Sequence, residues 1–117
     1  MSSSDKRKHP RLPVNLPATY RSASLVQDVR VSNLSQAGLS IACEETEPLG
    51  TVAEVLLSLP TEPDPVPLQG AVIWVSSNPD HPGMGIQFRD LAKEARSSLA
   101  NYLMRSSYSQ VQQPDQG

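Results

Sequence analysis

The sequence predicts a mainly β domain, a six-stranded antiparallel β-barrel with one C-terminal α-helix. Six short segments alternate apolar and polar residues with period two, and clusters of Gly, Pro, Asn and Ser separate them. A single late segment changes to the 3.6-residue period of an amphipathic helix. Six short strands in succession suggest a small antiparallel barrel. At 117 residues, of which 38% are hydrophobic, the chain has one domain's worth of core and needs no metal or disulfide to support it.

Residues 1–5 are expected to be disordered, and residues 6–13 form an arm ahead of a barrel spanning 14–89. In the first strand Val14, Leu16, Ala18 and Tyr20 alternate with mostly polar residues, and Pro17 marks an edge or a bulge. Val29 and Val31 alternate with Asp28, Arg30 and Ser32. Beyond a turn at 33–38, Leu39, Ile41 and Cys43 alternate with Ser40 and Ala42, so the two runs read as a hairpin. Gly38 is expected to supply positive φ where the chain reverses. Val55, Leu57 and Leu59 form the fourth run, and Pro60, Pro63, Pro65 and Pro67 make a semi-rigid connector after it.

The segment 68–75 is apolar on both parities, which predicts a strand buried on both faces, one in the core and one under the helix. Gly70 marks a bend or bulge in it, and Trp74 is expected first as a core residue, with a ligand-side role second. Met84, Ile86 and Phe88 give the sixth strand. Asp90 is a plausible N-cap, and Leu91, Ala95, Leu99, Tyr102 and Leu103 share one face of a helix over 90–104. The Ser- and Gln-rich remainder, 105–117, is expected to be a disordered tail.

The charge is unevenly distributed. Residues 1–11 carry four basic side chains against one acidic, net +3, while the rest has six basic against eleven acidic, net −5. Pro10 and Pro13 bias His9 and Leu12 toward extended geometry, so Arg7, His9 and Arg11 project from one side of the arm. Guanidinium forks bind phosphate bidentately, grip guanine O6 and N7, and stack on bases. A net charge of −2 argues against DNA or RNA as a partner, because a long polyanion needs an extended basic surface, but a small anionic ligand fits. In Asn33-Leu34-Ser35-Gln36-Ala37-Gly38, Asn33 and Ser35 at i and i+2 can offer an amide and a hydroxyl to one ligand.

Taken in that order, the motifs resemble the PilZ domain family, bacterial receptors for cyclic di-GMP, over residues 6–104. Arg7-Lys8-His9-Pro10-Arg11 matches the family's RxxxR motif, and Asn33, Ser35 and Gly38 match (D/N)xSxxG. Gly70-Ala71-Val72-Ile73-Trp74 and Gly83-Met84-Gly85-Ile86-Gln87-Phe88 are looser matches to later strands. The resemblance implies a six-stranded barrel with a C-terminal helix, with cyclic di-GMP bound by Arg7 and Arg11 through phosphates and guanines. Asn33, Ser35 and, through close backbone approach, Gly38 form the floor.

Asn33 is a neutral amide without the double-acceptor capacity of the Asp found in other members. Lys8 stands where many members carry another arginine, and Lys6 supplies extra charge that favours a stacked pair of ligands over one. Lys6, Lys8, His9 and Trp74 are therefore auxiliary candidates. Binding would order the arm over the barrel and present a surface to an unidentified effector protein in motility, biofilm or exopolysaccharide control. The alternative is a PilZ-like adaptor that binds protein and no nucleotide.

No convergent acid/base or nucleophile set is present, so no enzyme activity, no catalytic residue and no cofactor are expected. Cys43 shares strand parity with Leu39 and Ile41 and reads as a core thiol; His9 and His81 lack ligand spacing, so no metal is expected. Glu44, Glu45 and Glu47 read as a solvated loop. The lone cysteine and the absence of an apolar N-terminal or membrane-length run predict a cytoplasmic protein with no direct membrane insertion.

Overall fold

The first strand of the computed structural model, β1 (Leu12–Ser22), pairs on both of its sides, and that double pairing closes the sheet. The structure describes residues 11–112, with side chains to residue 106. The other strands are β2 (Val26–Leu34), β3 (Gly38–Ala42), β4 (Val52–Leu57), β5 (Val66–Val75) and β6 (Gly83–Phe88), followed by α1 (Lys93–Gln112). All pairs are antiparallel, in the closed order β1-β2-β3-β6-β5-β4. Closure gives every strand a neighbour on both sides. The six-stranded barrel with a C-terminal helix is the fold expected from the alternating pattern.

The inward residues of each strand form the core. Tyr20, Val31, Leu34, Ile41, Val55, Leu57, Leu68, Val72, Met84 and Ile86 are fully buried, and Ala95, Leu99 and Leu103 of α1 join the same cluster. Pro17 occupies an exposed position where the β1–β4 ladder ends. Its carbonyl accepts from Ser58 N at 3.1 Å on that side, so the missing N–H removes no bond from the ladder that begins at Ala18. The register shift in β1 lies between Pro13 and Leu16, not at Pro17.

Several expectations are corrected. β5 begins at Val66, which is buried, so the end of the proline-rich stretch belongs to the strand. The strand is not buried on both faces: a register shift between Val72 and Trp74 places Ile73 and Trp74 both outward, 46% and 37% exposed. Trp74 is therefore not a core residue.

Gly70 is not at that bulge. A Cβ there would lie 2.8 Å from Ile86 Cγ2 and 2.9 Å from the Gln87 carbonyl carbon, so glycine is required by the approach of β6. Asp90 is not the N-cap, because α1 starts at Lys93 and Asp90 adopts φ 53° in the turn before it, a conformation Asp tolerates better than most residues. The helix also continues past residue 104, through Gln112. Once Ala95, Leu99 and Leu103 have nucleated it on the barrel, Ser and Gln can propagate it, with no proline before Pro114.

The acidic loop is only partly solvated. Tyr20, buried in the barrel, donates its hydroxyl to Glu47, which also accepts from Ser24 Oγ at 3.0 Å. Burial, with the Glu47 hydrogen bond and charge, pushes the Tyr20 phenol well above its ordinary value. Partial burial works to raise Glu47, but the hydroxyls of Tyr20, Ser22 and Ser24 outweigh it and hold the carboxyl below the usual range. Across the same loop, Gln27 clamps Glu45, donating Nε2 to its carbonyl at 2.7 Å and accepting from its N–H at 3.2 Å.

Two outcomes follow. Gly70→Ala should cost about 1–3 kcal/mol in urea unfolding, because the new methyl meets backbone instead of a side chain that could turn away; an unchanged midpoint would refute the close approach. Tyr20→Phe should cost about 1.5–3 kcal/mol at neutral pH. The pair's stabilisation should fade as pH falls from the ordinary glutamate value of about 4.3 through the lowered Glu47 pKa. It should also fade as pH rises beyond the ordinary tyrosine value of about 10, toward the raised Tyr20 pKa. The Phe variant should lack the alkaline loss, and unfolding curves across pH measure both limbs.

Candidate functional site

The register of β1 on β2 sets Leu12 opposite Leu34 and Pro13 opposite Asn33, which delivers Arg11 to the turn that joins β2 to β3. That turn is built by Ser35. Its Oγ accepts from Ala37 N at 3.1 Å and Gly38 N at 3.2 Å, and its backbone N–H donates to the Gly38 carbonyl at 2.9 Å. Ser35 is buried, at 6% exposure, so the hydroxyl's first task is to hold the turn. Gly38 does not take positive φ, which among the described glycines belongs to Gly50 alone. A Cβ at Gly38 would collide with the Ile86 carbonyl of β6, so close strand approach, not turn geometry, requires the glycine.

A second bare position completes the surface. Gly83, Gly85 and Gln87 alternate with the inward Met84 and Ile86, so the outer face of β6 carries glycine at two of three positions. A Cβ at Gly85 would collide with the indole of Trp74, which lies on that glycine. The bulge in β5 turns the tryptophan outward, and Gly85 gives it a shelf.

Two cavities flank Trp74, and Arg11 borders both. The smaller, about 210 Å³, is lined by Ser35, Ala37, Gly38, Leu39, Ile73, Gly85, Ile86 and Gln87 as well. The larger, about 470 Å³, includes Asn33, Ser32, Ser40, Cys43, Asp80 and His81. Small-molecule sites commonly occupy roughly 300–1,000 Å³. The structure thus brings Arg11, Ser35, Gly38 and Trp74 together, and sets Asn33 beside Arg11 and Trp74 in the neighbouring cavity.

Asn33 and Ser35 do not line the same cavity, contrary to the i, i+2 expectation. A register shift between Val31 and Asn33 interrupts the alternation, leaving Ser32 exposed and Asn33 half-buried before Leu34 returns inward. Arg7, Lys6, Lys8 and His9 lie outside the described residues. Burial raises the Cys43 thiol, which keeps it neutral at the cavity wall. Among the described residues no group of three side chains could hold a metal ion, and no helix is long and apolar enough to cross a membrane.

Sequence reasoning missed Ile73, Gly85, Gln87, Asp80 and His81. The Gly83-x-Gly85 alternation held a signal for the shelf, because glycines on the outer face of an otherwise apolar strand leave room for something else. Asp80 and His81 sit in a turn-rich loop with no period to place them.

The sequence matches the PilZ domain family over residues 5–105. The chain belongs to that family. Its fold is shared with several solved structures. The Bacillus subtilis inhibitor of motility MotI/DgrA matches with a TM-score of 0.76 and 16% identity, over 88% of this chain and 52% of that one. The PilZ domain of Escherichia coli YcgR with c-di-GMP matches at 0.63 and 13%, over 92% and 99%. The K. pneumonia MrkH–c-di-GMP complex matches at 0.71 and 13%, over 88% and 53%. This PilZ chain therefore spans about half the length of MotI/DgrA and of MrkH. No curated protein matches the sequence.

Replacing Ser35 with Ala removes the acceptor that serves two half-buried turn N–H groups. The expected cost is about 1–3 kcal/mol in chemical denaturation; a variant as stable as wild type would show that the turn holds without it.

Proposed function

We propose that this PilZ domain is a cyclic di-GMP receptor and not an enzyme, with Arg7 and Arg11 as its phosphate- and guanine-binding cations and Asn33, Ser35 and Gly38 as the floor. The observation that carries this reading is Arg11, the end of the RxxxR motif, bordering both cavities at the Asn33-x-Ser35-x-x-Gly38 turn. The c-di-GMP complexes of the YcgR PilZ domain and of MrkH, which share the fold, support the choice of ligand.

Each residue has a physical role in the proposal. Arg7 and Arg11 neutralise the phosphodiesters and fork onto guanine O6 and N7. Asn33 supplies an amide to guanine or ribose, while Ser35 and Gly38 let the ligand approach a turn with no side chain in its way. Trp74 offers an indole face for base stacking between the cavities. Lys6 and Lys8 add positive charge at the arm, His9 adds a ring N–H donor, and Lys6 favours a stacked ligand pair.

Leu12 and Pro13, expected in the arm, already belong to β1, so binding draws down only the part of the arm ahead of that strand, exchanging chain entropy for charge-assisted hydrogen bonds and presenting a new surface to an effector protein. The receptor acts in the cytoplasm, in motility, biofilm or exopolysaccharide control.

Calorimetric titration with cyclic di-GMP tests the reading. Wild type should bind at micromolar or tighter affinity, and Arg7→Ala and Arg11→Ala should each lose about 1–3 kcal/mol or more per bidentate contact. A stoichiometry of two nucleotides per chain would carry the stacked pair, and one at saturation would reject it. A folded wild type that binds none would replace this reading with the adaptor.

A further inference from the structure

Among the described residues lining the two cavities, Asp80 is the only carboxylate. A carboxylate in the same cavity as Arg11 is costly for a site that takes phosphate, since it repels the anion the guanidinium attracts. Its presence calls for a ligand edge that needs an acceptor.

The larger cavity holds Asp80 together with an amide, Asn33, an indole, Trp74, and the Arg11 guanidinium. The loop that carries Asp80 is internally braced. Asn78 N donates to Ser76 Oγ at 3.2 Å, Asn78 Oδ1 accepts from Asp80 N at 2.9 Å, and the Asn78 carbonyl accepts from His81 N at 3.0 Å. These bonds engage the Asp80 backbone and leave its carboxylate without a hydrogen-bond or ion-pair partner among the described residues.

Guanine differs from adenine on its Watson–Crick edge. It presents two adjacent donors, N1–H and the N2 amino group, where adenine presents a bare N1 acceptor. A carboxylate's two oxygens match two parallel donors and oppose a lone pair. Asn33 cannot provide that match, because its side chain has one acceptor oxygen and one donor group.

We propose that Asp80 is a specificity-determining residue that accepts from N1–H and N2–H of one guanine, selecting guanine over adenine dinucleotides in the larger cavity. The inference rests on the receptor reading above and deepens it. Arg11 and the arm would supply affinity through the phosphates and the opposite edge of the base, and Asp80 the choice of base. His81 and Cys43 also face the larger cavity, but neither offers a pair of acceptors to adjacent N–H groups.

The test titrates wild type, Asp80→Ala and Asp80→Asn with cyclic di-GMP and, separately, with cyclic di-AMP. Wild type should prefer cyclic di-GMP. Both variants should weaken cyclic di-GMP by roughly 5- to 150-fold, the usual range for one bidentate base contact. Neither should weaken cyclic di-AMP, because the lost carboxylate opposed it. Among the described residues the exposed Asp80 side chain makes no hydrogen bond, so the variants should fold, and their unfolding midpoints should match wild type. Cyclic di-GMP affinity within twofold of wild type in Asp80→Ala, or an equal loss for both nucleotides, would overturn the proposal. Wild type that binds neither nucleotide would overturn the receptor reading itself, and this one with it.

Discussion

The pairing of Leu12 with Leu34 fixes where everything at the site lies. β1 enters the barrel at that point, and the residue before it, Arg11, is carried to the turn between β2 and β3. Side chains alternate along a strand, so a slip of one residue would turn Leu12, Leu16, Ala18 and Tyr20 from the core to the surface. Those four side chains therefore enforce the register, and through it the core fixes where the cation sits. The same strand continues to β4, pairing Ala18 with Leu57 and Ser22 with Ala53, so the element that positions Arg11 also closes the barrel.

The rest of the site is made by omission. At Gly38, Gly70 and Gly85 a Cβ would strike β6 backbone or the Trp74 indole, so these positions must be bare for the strands and the tryptophan to pack as they do. Ser35 uses its hydroxyl to tie the turn beside Gly38, leaving backbone at the cavity edge where a longer side chain would fill it. The β5 bulge contributes the opposite feature, two large apolar side chains on one outer face. Bare backbone, one aromatic wall and one guanidinium share about a strand's width of surface.

The fold was legible because period-two alternation was unbroken in the outer parts of most strands: Ala18 with Tyr20, Val29 with Val31, Val55 with Leu57, Met84 with Ile86. In β5 it was not, since Val72, Ile73 and Trp74 are all apolar and an apolar run carries no phase from which an inserted residue could be seen. The role of Gly38 was legible only in part. A turn-forming sequence explained the glycine well enough to hide the closer cause, the Ile86 carbonyl of a strand 48 residues later that has no mark in the local sequence. Glu47 shows the same limit, because its partner Tyr20 lies 27 residues earlier and nothing in an acidic loop announces a phenol beneath it. Of the candidate site, the motif residues Arg11, Ser35 and Gly38 were readable and meet in one cavity. Asn33 was readable as a residue but not as to its cavity, because the shift after Val31 moves it.

The outward turn of Trp74 gives the chain an intrinsic optical reporter. It is the protein's only tryptophan, while Tyr20 is sealed in the core. Emission excited at the red edge of the absorption band therefore arises from one indole, resting on Gly85 between the two cavities. No label has to be attached and no residue altered for occupancy of that surface to be followed in real time, and the signal refers to a single known place on the barrel.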